Sequence, residues 1–212
     1  MVFYPENIPY WENIRQLLDD AGCVYISTHV NPDGDAVGSV MALARFMAGV
    51  GKQYRVIQES LLPEIYRFLD PEGVIESYPE HSPSGRSPQS GDLVFFLDMG
   101  RFDRAGNVKN FLVRNQAKKI FIDHHRPEAV KADLFIVNPQ AESTGSLIYD
   151  LIRYIALPVM DERIAVSVLT AIVTDTGYFR YSNASALTHR ITASLYDYGA
   201  RVGTIRRELE AG

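Results

Sequence analysis

Four short apolar runs constrain the fold of this chain more than any other feature: CVYIS at 23–27, LVFFL at 93–97, KIFI at 119–122 and LFIV at 134–137. They are rich in Val, Ile and Phe and lack polar alternation, the pattern of strands buried on both faces of a parallel sheet. The segments between them read as helices. NIPYWENIRQLLDDAG (7–22) has apolar residues at helical spacing and a stop at Gly22. DAVGSVMALARFMAGVG (35–51) runs to Gly49 and Gly51 before a further strand around YRVIQ (54–58). A short helix is expected around EIYRFLD (64–70) and another before the strand at 119, giving β-α-β order. The stretch 79–91, dense in Pro, Ser and Gly, reads as an exposed loop. From Ser143 the chain turns helical, with STGSLIYDLIRYIAL opening on a hydroxyl cap, then DERIAVSVLTAIVTDTG and SALTHRITASLYDYGA. The expected fold is α/β: an open, mainly parallel sheet with helices on both faces, followed by a helical C-terminal cap. It forms a single domain over 1–212 with its core at about 15–205.

The strands end on residues that bind metals. CVYISTH stops at His29, LVFFLD at Asp98, and KIFIDHH at Asp123, His124 and His125. In an open parallel sheet, ligands bind in the crevice beyond the carboxyl ends of the strands, so these side chains should converge. One aspartate after a strand is ordinarily a turn or cap residue; three strand ends carrying such groups are harder to dismiss. Asp33 and Asp35 flank Gly34 just before a helix, where one of them suffices as N-cap. Asp175 follows the apolar run AVSVLTAIVT, near the negative end of a helix dipole, where a carboxylate is disfavoured unless a cation is close. Together His29, Asp33, Asp35, Asp98, Asp123, His124 and Asp175 place five carboxylates in one crevice. Such a cluster repels itself unless it protonates or binds cations. Seven groups suit two adjacent divalent ions sharing one carboxylate. Mixed oxygen and imidazole donors favour Mn²⁺, with Mg²⁺, Co²⁺ or Fe²⁺ as alternatives.

The totals exclude other classes. Apolar residues make up 46% of the chain and charged ones 22%, which disfavours disorder, collagen-like repeats and coiled coil. A formal charge of −5 supplies no basic footprint for a long nucleic-acid backbone. The longest apolar runs fall short of the roughly 20 residues a membrane span needs, and the N-terminus lacks the basic start of a signal peptide, so the expected location is cytoplasmic with no membrane partner. Cys23 stands alone and reads as an apolar filler of the first strand.

THVNPDGDAVGS, FFLDMG, FIDHHRP and IVTDTGYFRYSN, in that order, resemble the four signature blocks of the DHH phosphoesterases, whose eponymous triplet is Asp123, His124 and His125. The resemblance covers nearly the whole chain. It is strongest to the branch containing the nanoRNA hydrolases with pAp phosphatase activity and the RecJ exonuclease core. It implies that His29, Asp33 and Asp98 hold one manganese and that Asp35, Asp98, His124 and Asp175 hold the other, with Asp98 as the bridge. It further implies that His125 contacts the scissile phosphate and that Asp123 orients its neighbours. Arg126, Arg180 and His189 are candidate anion contacts, and Tyr178, Phe179 and Tyr181 are candidates to stack a base. The implied activity is hydrolysis of phosphoesters in short oligonucleotides, nucleoside bisphosphates or linear or cyclic dinucleotides. Members of this branch carry a second domain with a Gly-rich, His-ending substrate motif. None follows RRELEAG, so the chain is expected to be the catalytic part of a longer protein, with a homodimer as a possible assembly. One alternative is a manganese-dependent inorganic pyrophosphatase, whose resembling first block has a hydroxyl residue where Gly34 stands. The other is a non-catalytic nucleotide- or partner-binding module, which the seven intact ligand positions disfavour.

Overall fold

The computed structural model describes residues 2–78, 86–114, 116–126 and 131–211. Six strands, β1 (Val24–Ser27), β2 (Tyr54–Gln58), β3 (Ile75–Ser77), β4 (Leu93–Leu97), β5 (Lys118–Asp123) and β6 (Leu134–Val137), form one sheet in the order β3-β2-β1-β4-β5-β6. Every pairing is parallel. The first three strands step one way from β1 and the last three step the other way from β4. The order therefore reverses between β1 and β4, and a crevice opens at their carboxyl ends.

The alternation of side chains along the strands sorts the core into two sides. Ile26, Phe95, Leu97, Ile120 and Ile122 face the larger cluster, with α1 (Ile8–Asp20), α2 (Gly34–Gly49), α4 (Thr144–Ala156) and α5 (Glu162–Asp175). Tyr25, Val94, Phe96 and Phe121 face a smaller cluster covered by a 3₁₀ turn at Phe102–Ala105 and the five-residue α3 (Val108–Leu112). Helices thus cover both faces, unequally. The expected helix at 64–70 is a 3₁₀ segment, Glu64–Leu69. Of the helices expected in the C-terminal cap, α4 and α5 instead belong to the main core; α6 (Ala186–Asp197), opened by a capping box at Ser185, and α7 (Val202–Ala211) follow them. Cys23 is only partly buried and lies outside β1, packed on the smaller cluster, so it is not the fully buried filler expected. Of the expected loop, 79–85 lie outside the described residues. The remainder is fastened rather than free: Arg86 pairs with the buried Asp92, and its carbonyl accepts from the Tyr25 hydroxyl at 3.0 Å. Among the described residues, no helix is long and apolar enough to cross a membrane.

The amino-terminal segment is tied down by one buried carboxylate. Asp150 on α4 accepts from the Phe3 amide, the Tyr4 amide at 3.4 Å and the Trp11 indole at 2.9 Å. Burial raises its carboxyl above the ordinary range, and these donors offset only part of that rise. Asp150→Ala leaves three donors without their acceptor, at about 1–3 kcal/mol per buried group. We expect a loss of about 3 kcal/mol in urea unfolding, accompanied by early proteolysis near residue 10.

Candidate metal centre

The loops leaving β1 and β4 bring the first ligand candidates together. The Thr28 hydroxyl donates to the Leu97 carbonyl at 2.8 Å, stitching the two strand ends across the switch point. His29, 3% exposed, directs Nδ1 to the Val30 carbonyl at 2.8 Å. A carbonyl only accepts, so Nδ1 donates and Nε2 is left to face the crevice. Nε2 lies 4.0 Å from Asp33 Oδ1 and 3.8 Å from Asp98 Oδ2. Asp33 is the N-cap of α2, accepting from the Ala36 amide at 3.0 Å. The cap of α2 and the group facing His29 are therefore the same carboxylate. Asp98 is buried and sits at φ 54°, a left-handed conformation that aspartate tolerates better than most residues.

The second half forms around His124. Its Nδ1 lies 3.3 Å from the Ala141 carbonyl, so here too Nε2 points inward. It lies 3.5 Å from Asp35 Oδ2, 3.7 Å from Asp98 Oδ1 and 3.6 Å from Asp175 Oδ2. The two oxygens of Asp98 thus divide between the two imidazoles. Asp35, in the first turn of α2, is clamped by the N-terminus of α4: its oxygens accept from the Thr144 amide at 2.7 Å and the Gly145 amide at 2.9 Å. The Thr144 hydroxyl donates to Asp98 Oδ1 at 3.1 Å.

These side chains form three groups in which the candidate ligand atoms lie within 4.8 Å of one another: His29, Asp33 and Asp98; Asp35, His124 and Asp175; and Asp98, His124 and His125. Their chemistry fits a divalent cation. His124 Nε2 is buried and has no hydrogen-bond partner among the described residues. Separations of 3.5–3.8 Å are too long for hydrogen bonds between these atoms. They suit donors sharing an ion, since two atoms each about 2.1 Å from one cation stand about 3.0–4.2 Å apart. Without a cation, buried carboxylates crowd one another. Burial raises the Asp35 carboxyl well above its usual range and the negative charges of Asp98 and Asp175 add to it, against the pull of the α4 amides. Burial likewise raises Asp175; His124 opposes this, and Asp98 and Asp33 reinforce it.

Asp123 and His125 flank the cluster. Asp123, fully buried at the end of β5, accepts from the His125 amide and His125 Nδ1, both at 2.8 Å, and from the Gly100 amide. Burial pushes its carboxyl up, and these bonds overcome that push and hold it below the usual range. The bond to Asp123, with Asp98 behind it at 3.5 Å, pushes the half-exposed His125 ring up to about 10.

Every ligand position expected from the sequence therefore reaches the crevice. The other candidates stand differently. Arg126 and Arg180 are exposed, and Arg180 donates Nε to the Gly177 carbonyl at 2.7 Å. His189 is exposed, with its ring 5.2 Å from that of Phe179. Tyr178 and Phe179 pack on the main core, whereas Tyr181 is 59% exposed. Thr144 escaped the sequence reading: STGS signals a helix start, with Ser143 accepting from the Ser146 amide, and nothing in it points to Asp98. A cavity of about 780 Å³, lined by Leu61, Phe68, Asp70 and Glu208 among others, shares no residue with the cluster.

Residues 23–173 match the family described as "DHH family, N-terminal domain". The chain belongs to the DHH family. This DHH chain is 33% identical over 207 residues to the "Bifunctional oligoribonuclease and PAP phosphatase NrnA" of Thermus thermophilus, covering 95% of the chain and 59% of that protein. It is 25% identical over 185 residues to the "Cyclic-di-AMP phosphodiesterase PdeA" of Listeria monocytogenes, covering 81% of the chain and 27% of the relative. Among solved structures, an exopolyphosphatase-related protein from Bacteroides fragilis superposes with a TM-score of 0.87 at 24% identity, over 96% of this chain and 61% of that one. A putative family II inorganic pyrophosphatase from Methanococcus jannaschii superposes with a TM-score of 0.63 at 20% identity, over 89% and 61%. At such identities these structures support the fold alone. The chain spans little more than half of the NrnA relative's length, so it corresponds to only part of such a protein.

Proposed function

We propose that this DHH domain hydrolyses phosphodiester or phosphomonoester bonds in short oligonucleotides, nucleoside bisphosphates or linear or cyclic dinucleotides, in the cytoplasm, using two bound divalent ions, manganese by preference. The observation that carries this reading is Asp98, whose two oxygens face the Nε2 atoms of two imidazoles, His29 and His124. His29, Asp33 and Asp98 would hold one ion, and Asp35, Asp98, His124 and Asp175 the other. Such a pair supplies a water acid enough to deprotonate near neutral pH and positive charge against the phosphoryl oxygens. His125 spends Nδ1 on Asp123, which leaves Nε2 to donate to the scissile phosphate. Asp123 fixes that ring and the turn behind it. Arg126 and Arg180 offer exposed guanidiniums to further phosphates of the substrate. The names of the relatives support a nucleotide substrate, and a substrate-binding segment elsewhere in the whole protein completes the site in this reading.

The pyrophosphatase alternative differs from this chain at Gly34. A Cβ built on Gly34 would lie 2.4 Å from Thr174 Cγ2 and 2.5 Å from Thr174 Oγ1, so a hydroxyl residue does not fit there as the helices stand. A panel of nucleoside 3′,5′-bisphosphate, linear and cyclic dinucleotides and pyrophosphate, each with Mn²⁺, tests the reading. We expect nucleotide substrates to be cleaved and chelator to stop the reaction. Cleavage of pyrophosphate alone, or turnover that survives chelation, would refute it. Thr144→Val removes the hydroxyl on Asp98 and keeps the amide on Asp35. Losing such a supporting bond should weaken Mn²⁺ binding about 10-fold or more in calorimetric titration, with little change in melting temperature.

A further inference from the structure

Immediately after α5, Gly177, Tyr178 and Phe179 adopt left-handed backbone angles in succession, at φ 54°, 58° and 64°. Two of the three carry bulky side chains, for which this conformation is strained, and strain of this kind persists only where the surroundings impose it. Buried Thr176 imposes it. Its hydroxyl donates to the Ile172 carbonyl at 2.7 Å and accepts from the Phe179 amide at 3.0 Å, while its carbonyl accepts from the Arg180 and Tyr181 amides at 3.0 Å each. Asn183 then ties the segment back to the site, donating to the Asp175 carbonyl at 3.1 Å.

The fixed turn packs the partly buried Tyr178 and Phe179 rings against the core and leaves Tyr181 outside, six residues beyond Asp175 in sequence. The Tyr181 ring rests on Gly177. A Cβ at Gly177 would lie 2.5 Å from its Cζ and 2.7 Å from both Cε atoms, distances that place that point over the ring rather than beside it. One face is therefore backed by the bare glycine, and the ring as a whole stays 59% exposed. A flat ring with one face supported and its surface open is a stacking platform, and any nucleobase stacks on an aromatic ring regardless of its identity.

We infer that Tyr181 stacks on the base of a nucleotide whose phosphate lies at the Asp175 side of the cluster, which makes base-bearing phosphoesters, not inorganic phosphates, the substrates of this site. The inference rests on the phosphoesterase reading above, and two measurements separate their failures. The first is the ratio of kcat/KM for a dinucleotide to that for its abasic analogue, with Mn²⁺. Tyr181→Ala should lower this ratio about tenfold, the size of a lost base–aromatic stack, and Tyr181→Phe should restore it. The second needs no turnover: a 2-aminopurine dinucleotide should lose fluorescence on binding the wild-type protein and the Phe variant, and lose little on binding the Ala variant. Unchanged quenching in Tyr181→Ala, or an unchanged ratio where hydrolysis is measured, overturns the platform. Quenching that depends on Tyr181 in a protein that cleaves neither compound supports the platform and refutes the hydrolase.

Discussion

Replacing Asp98 with asparagine should abolish hydrolysis and, in the absence of metal, make the protein more stable. The two effects share one cause. Asparagine tolerates the left-handed backbone at φ 54° and keeps an oxygen for the Thr144 hydroxyl, so the fold loses only a charge. Alanine would add backbone strain and confuse the outcome. In the metal-free protein Asp98 raises the carboxyls of both Asp35 and Asp175. Removing its charge relieves that repulsion, while His125, which Asp98 also helps to charge, keeps its closer partner Asp123 at 2.8 Å. A gain of about 1 kcal/mol would appear as a rise of about 2–4 °C in melting temperature for a domain of this size.

With Mn²⁺ present the order reverses. A ligand at about 100 times its Kd stabilises a protein by about 2.7 kcal/mol, a rise of about 5–10 °C for the wild type. Loss of the shared carboxylate should weaken metal binding more than the roughly 10–100-fold cost of losing a partner that merely orients a ligand. We expect a fall in kcat of about a thousandfold or more, equivalent to about 4 kcal/mol. Two thermal scans of each protein, with and without Mn²⁺, show the crossing. Equal metal shifts in wild type and variant, or a metal-free variant that melts lower, would sink the shared-carboxylate reading.

How much of this was legible in the sequence depended on whether the signal lay within one segment. His29, Asp98 and Asp123 announce themselves because each follows an apolar run directly, and a parallel sheet brings such ends together whatever the rest of the chain does. Asp35 follows as a second acid where one N-cap suffices, and Asp175 as a carboxylate at the unfavourable end of a helix. β3 is invisible because IES has a single apolar residue, and its place in the sheet comes from the register of Ile75 beside Val56. α7 carries only Val202, Ile205 and Leu209 on an otherwise polar stretch, and it is stabilised by packing on α5 and the 3₁₀ segment at 64–69. The tie from Thr144 to Asp98 spans 46 residues, and no local pattern encodes it. The same holds for the ring of Tyr181 on Gly177, where a turn motif is visible but the choice among three neighbouring aromatics is not.

Gly34 shows why a small residue can control a metal site. It stands between Asp33 and Asp35, where α2 begins against the end of α5, and Thr174 precedes Asp175 on the facing helix. Gly34→Ala would place Cβ 2.4 Å from Thr174 Cγ2 and 2.8 Å from Thr174 Cβ, so the two helix ends must separate. Overpacking of this kind costs about 1–3 kcal/mol. The larger effect falls on function, because the same displacement moves Asp33 and Asp35 away from Asp175, and a shift of about 1 Å in a reacting geometry costs about a hundredfold in rate. Thr174→Ala would still leave Cβ too close, whereas Thr174→Gly clears the contact at about 1 kcal/mol for a helical glycine. In the double-mutant cycle Gly34→Ala should lose about a hundredfold in kcat/KM, Thr174→Gly should lose little, and the double variant should recover most of the loss. Additive losses would mean that Gly34 is required for some reason other than its contact with Thr174.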